Sequence, residues 1–137
     1  MVTLALAKQH LEYEDDDRDD LIEQYIDASA AWVENYTGKA LSVRAVTDEF
    51  SAFGGYLTPT RGPFLSLTTI AYVDANGSAD TVSGALVLGG RIYPPADGWP
   101  SISENTPISV TYQAGYASVP ADVTMARLLL IGEYFAN

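Results

Sequence analysis

Hydrophobic periodicity changes twice along this sequence, and no single class of secondary structure fits the whole of it. Up to Gly38 the apolar residues recur at helical spacing. From Leu41 onward they fall in short runs rich in Val, Thr, Tyr and Phe, separated by turn signals. After Gly115-Tyr116 the helical spacing returns. Helical ends around a strand-rich middle make the expected fold class α+β, with the middle forming a small antiparallel β module.

The helical segments carry recognisable ends. Thr3 before Leu-Ala-Leu-Ala-Lys-Gln-His-Leu predicts a capped helix from Leu4 to Leu11. Asp16 or Asp17 is placed to cap a second helix over Arg18 to Thr37, which Gly38 closes in the left-handed conformation. The acids near its start also suit the helix dipole. Leu21, Ile22, Tyr25, Ile26, Ser29, Trp32, Val33 and Tyr36 share an arc of roughly 140° at 100° per residue. Trp32 is therefore expected to be buried against the C-terminal helix. That last helix is expected to follow the turn at Pro120, opening at Asp122 or Thr124. Its apolar residues (Val123, Ala126, Leu128, Leu129, Leu130, Ile131, Tyr134 and Phe135) spread around nearly the whole circumference. Such a helix must be covered on all sides, either between the first helices and the sheet or with one side against a neighbouring subunit.

In the middle, strands are expected at Val43 to Phe53, Leu65 to Val73, Thr81 to Leu88, Arg91 to Tyr93 and Ile108 to Gln113. Gly54-Gly55, Pro59, Arg61-Gly62-Pro63, Gly89-Gly90 and Pro94-Pro95 punctuate them. Asp74-Ala75-Asn76-Gly77-Ser78 is a hairpin turn, since Asn and Gly tolerate positive φ.

Charge narrows the function. The 137 residues carry a net charge of −11, with only 7 Lys and Arg, which argues against gripping nucleic acid. Between Glu12 and Asp27 lie Glu12, Glu14, Asp15, Asp16, Asp17, Asp19, Asp20, Glu23 and Asp27 against the single base Arg18. Read as a calcium loop from Asp15, this run would use Asp15, Asp17 and Asp19. It puts Asp20 where glycine is required and Ile26 where a bidentate Glu is required, so the motif fails. A solvated, dipole-matched helix start is the better reading.

Other chemistry finds little material. There is no cysteine, so disulfides and thiolate metal sites are excluded. The single histidine, His10, reads as an ordinary surface residue, and no Gly-x-Ser-x-Gly elbow accompanies it. Gly84, Gly89 and Gly90 are not followed by Lys-Ser/Thr or a helix, so they form no phosphate loop. No catalytic, cofactor or metal residue is nominated. The first residues lack a signal-peptide pattern, and no run of about 18 apolar residues suggests a membrane span. The expected molecule is a structural subunit rather than an enzyme, working by self-assembly and docking to proteins.

Several segments, in order, resemble the phage head–tail connector (adaptor) family, as in Hong Kong-type lambdoid phages and gene transfer agents. The opening carries most of it: Val2-Thr3-Leu4, Ala7-Lys8-Gln9-His10-Leu11, the acidic loop, Asp20-Leu21-Ile22 and Ala31-Trp32-Val33-Glu34-Asn35-Tyr36-Thr37-Gly38. Pro63, Tyr72-Val73-Asp74-Ala75-Asn76-Gly77, Arg91-Ile92-Tyr93-Pro94 and Trp99-Pro100 follow. Val110-Thr111-Tyr112-Gln113-Ala114-Gly115-Tyr116 and Val119-Pro120-Ala121-Asp122-Val123 complete the set.

The resemblance implies one adaptor domain, with a helical part at 1–40 and 118–137 and an inserted β module at 41–117. It implies a ring, usually of twelve subunits, beneath the portal protein, extending the DNA channel and offering a platform to a stopper or tail-completion protein. Members often continue the last helix into a polar tail that docks to the portal; this sequence stops at Asn137, which puts docking through such an arm in question. DNA would pass the acidic wall without specific binding. The expected location is the neck of a virion or virus-like particle, after assembly in a bacterial cytoplasm; cysteine-free composition suits that reducing compartment. The competing readings are another neck component, such as a stopper or tail-completion protein, and more distantly a small hydrolase.

Overall fold

The computed structural model describes residues 1–136. They contain helices α1 (Leu4–Leu11), α2 (Asp19–Thr37) and α3 (Ala121–Ala136). Between α2 and α3 lie strands β1 (Arg44–Phe50), β2 (Phe64–Val73), β3 (Ala79–Thr81), β4 (Leu86–Leu88), β5 (Arg91–Tyr93) and β6 (Ile108–Ala114). The chain divides into two compact units, Met1–Ser42 with Tyr116–Asn137, and Val43–Gly115.

In the helical unit, Thr3 caps α1 by accepting a hydrogen bond from the Leu6 N–H at 3.1 Å. Glu12 ends that helix with φ 57, giving its backbone N–H to Gln9. Gly38, at φ 72, ends α2 and donates to the Glu34 carbonyl at 2.8 Å. The expected cap at Asp16 or Asp17 does not form. Arg18 occupies that position without a side-chain cap bond, because both aspartates are drawn to other partners. Val2, Ala7, Ile22, Leu128 and Ile131 form the buried centre of this unit, so all three helices contribute to one small core.

The expected burial of the whole α2 arc is corrected. Ile22, Ser29 and Val33 are buried, but Leu21, Trp32 and Tyr36 are exposed, Trp32 by 49%. The arc is broader than the groove that one neighbouring helix can fill, so its edge faces solvent.

The β unit is built on an antiparallel sheet in the order β1-β6-β2-β3, with β4 and β5 as a separate hairpin. The central strand β6 alternates strictly: Ile108, Val110, Tyr112 and Ala114 are buried, while Ser109, Thr111 and Gln113 are not. Phe53, Leu57, Ile70, Tyr72 and Ile92 join them in a single cluster. The Asp74–Ser78 turn joins β2 to β3. The Asp74 carboxylate accepts from the N–H groups of Asn76 at 2.9 Å and Ser78 at 3.0 Å, and Gly77 takes φ 83. The single strand expected over Thr81 to Leu88 is instead two. Gly84, at φ 79, breaks it, and the halves join different sheets. The first strand is also shorter than expected, ending at Phe50.

Candidate interaction surfaces

The acidic segment is folded back on α1 rather than splayed into solvent. Lys8, one helical turn before the end of α1, places its Nζ 2.8 Å from Asp16 Oδ1 and 2.8 Å from Asp19 Oδ1. Those bonds, with Asp16 first, raise the Lys8 ammonium above its ordinary range, and Lys8 in turn holds the Asp16 carboxyl below the usual one. Tyr13 donates its hydroxyl to Asp17, which raises the phenol's pKa. Arg18 lies 5.8 Å from the Tyr13 ring centre and 5.5 Å from that of Phe135, and the two rings meet edge to face at 5.4 Å. One lysine and one arginine thus hold a loop whose other acids, Glu12, Glu14 and Asp15, remain exposed.

Asp15, Asp17 and Asp19 do not converge. Asp17 is engaged by Tyr13 and Asp19 by Lys8. Among the described residues no group of His, Asp or Glu is placed to hold a metal ion. His10 is exposed, with its Nε2 3.7 Å from where a Cβ on Gly132 would stand, so α1 and α3 approach closely there.

A buried cation joins α3 to α2, and sequence reasoning missed it. Arg127 Nε donates to Ser29 Oγ at 3.2 Å, and its Nη2 donates to the Ile26 carbonyl at 3.1 Å. Ser29 Oγ itself donates to that carbonyl at 2.8 Å. Burial lowers the guanidinium's pKa. The signal was present in two places: a lone base within an apolar helix, and a lone serine within the apolar arc of α2.

Outside this core the helical unit exposes two apolar faces. On α2, Trp32 stacks on Tyr36 with ring centres 5.0 Å apart, and Leu21 lies on the same side. On α3, Met125 and Leu129 are 53% and 62% exposed. The β unit exposes Val43, Tyr56, Leu65, Leu86 and Leu88, with Arg91 4.7 Å over the Tyr56 ring. Exposed aromatic and aliphatic faces of this kind are suited to contact with other proteins.

Comparison with known proteins points the same way. Residues 1–59 match the family described as Phage gp6-like head-tail connector protein, which bears out the resemblance read from the opening of the chain. Nothing among curated proteins matches. Among solved structures, the fold is similar to a chain from the neck of an empty gene transfer agent particle computed with C6 symmetry. The identity is 25% and the TM-score 0.85, over 99% of this chain and 78% of that one. A chain from the neck of the native particle computed with C12 symmetry gives 25% identity and a TM-score of 0.81, over 98% and 76%. A chain from the virion of the native particle matches in fold at 24% identity and a TM-score of 0.85, over 99% and 78%.

Proposed function

We propose that this chain is a structural subunit of a phage-like neck: an adaptor that forms a ring, of twelve copies, beneath a portal protein. The ring extends the DNA channel and gives a stopper or tail-completion protein its seat. The observation that carries this reading is the likeness of 99% of the chain to a gene transfer agent neck chain at a TM-score of 0.85. The match of residues 1–59 to the connector family and the C12 symmetry of the related neck support it independently. In this reading the helical unit is the adaptor core and the β unit an insertion into the same adaptor domain.

The physical chemistry fits a conduit. DNA must slide through a channel without sticking, and a net charge of −11 per subunit repels phosphate. No catalysis and no cofactor are invoked. The site of action is the particle's neck, after assembly in a bacterial cytoplasm.

The test is co-assembly with a purified portal protein. Free subunits should associate weakly at low salt, because like charges repel over about 10 Å at 0.1 M ionic strength, and adding salt should help. With purified portal, light scattering should report a stable complex and electron microscopy a ring seated on one portal face. Failure to bind portal at any salt concentration would overturn the adaptor role.

A further inference from the structure

We infer that copies of this chain join head to tail through their helical units, the Met125–Leu129 face of α3 in one copy seating on the uncharged flank of α2 in the next. The inference rests on the neck reading above and identifies the surfaces that would make the ring.

The two faces belong to one compact unit yet cannot cover one another. Arg127 reaches across to Ser29 and Ile26, so its side of α3 is the side packed on α2. Met125 and Leu129 lie about 160° around the helix from Arg127 at 100° per residue, and therefore point away from α2. Trp32 and Tyr36 remain open on α2 itself. Each face needs a partner, and the partner lies outside the unit.

Charge separates the possible partners. Around α2, the acids Asp20, Glu23, Asp27 and Glu34 gather on one side. The arc that runs through Gln24, Ala28, Leu21, Trp32 and Tyr36 has no charged residue. An uncharged flank bearing a tryptophan and a tyrosine, in a chain of net charge −11, has the composition of an interface centre. The α3 face carries Asp122 and Glu133 at its rim. Against the acidic side of another copy those carboxylates would meet like charge; against the uncharged flank they do not.

Two different patches meeting each other make a heterologous contact. It cannot close by a two-fold axis, and repetition gives either a ring or a filament. The solved necks that contain a chain of this fold were computed with C6 and C12 symmetry, which fits a repeating contact that closes into a ring.

The chain has no cysteine, so two introduced thiols report on this contact without background. Ala28→Cys marks the α2 flank and Met125→Cys the α3 face; both positions are exposed, and circular dichroism checks that each variant folds. The variants are assembled on purified portal and treated with a short bismaleimide. The Ala28→Cys, Met125→Cys double variant should give a ladder of linked species up to the closed ring. Equal mixtures of the two single variants should stop at linked dimers, and each single variant alone should stay unlinked. A ring visible by microscopy but no ladder would overturn the inference and leave the neck reading standing. Linked dimers from either single variant alone would also overturn it, because they require the same patch on both copies. The absence of any ring or portal complex would reject the neck reading and this inference with it.

Discussion

The two units solve burial differently. In the β unit, β6 sends four consecutive inward residues into one cluster with Phe53, Leu57, Ile70, Tyr72 and Ile92, and Phe53 is stacked on Trp99 at 4.6 Å. The helical unit has a narrower core around Ile22, Leu128 and Ile131 and leaves Trp32, Tyr36, Met125 and Leu129 outside it. A sheet buries a whole face by alternation, so a short strand suffices to close a core. A helix with apolar residues all round cannot be covered by two neighbours. The contrast lies in how each core closes: the β unit by strand alternation around β6, the helical unit around a few residues that leave the aromatic flank of α2 outside.

The largest effect that would break this comparison lies in the β core. Tyr112 is fully buried, stacks on Phe64 at 5.5 Å and donates its hydroxyl to Asp48 at 2.7 Å while accepting the Arg61 N–H at 3.0 Å. Tyr112→Ala should cost about 3–5 kcal/mol, the range for large aromatic truncations in cores. Urea unfolding followed by near-ultraviolet dichroism measures it. A loss below about 1 kcal/mol would mean that the β core is not closed around this residue.

Trp32 sharpens the other half of the comparison. Exposed and stacked on Tyr36, it should tolerate Trp32→Ala with a loss below about 1 kcal/mol in the free protein, the scale of one aromatic pair. The same substitution should weaken assembly. A stability loss near that of Tyr112→Ala would place Trp32 back in a core and dissolve the distinction between the units.

Trp32 also marks where sequence reading ran out. The ends of α1 and α2 were legible because Thr3 and Gly38 act locally, through a side-chain oxygen and a left-handed φ. The Asp74–Ser78 hairpin was legible for the same reason. Periodicity, in contrast, reports which residues share a side of a helix and not what lies opposite them. A tryptophan kept for a neighbouring copy and one kept for the core have the same spacing. The failed cap at Asp16 or Asp17 and the missed Arg127 have a similar cause. Lys8 meets Asp16 only once the loop folds back on α1, and Arg127 meets Ser29, 98 positions away, only once α3 packs on α2. Of the two surfaces proposed to meet, the apolar girth of α3 was legible in the sequence, whereas the exposure of the α2 flank was not.

The smallest effect concerns the loop that Lys8 holds, and pH resolves it. Asp16 is depressed because the Lys8 ammonium bonds its charged form. For a carboxyl of this kind, the stabilisation is present above the unfolded value and is lost as pH falls through the lower folded one. Lys8 is raised, so its share is present below its ordinary value and lost only as pH climbs through the higher folded one. The loop should therefore stay closed across the neutral range and open first on the acid side, beneath the ordinary aspartate pKa of 3.8. The effect on global stability should be small, because the pair is exposed to solvent on the Asp16 side and screened by salt. The sensitive readout is local: a nuclear magnetic resonance titration of the Asp16 carboxyl and the backbone amides of residues 12–19. Lys8→Met should move the Asp16 midpoint upward toward 3.8 and loosen these amides, while signals from β6 stay where they are. An unmoved midpoint would show that Lys8 does not hold the loop.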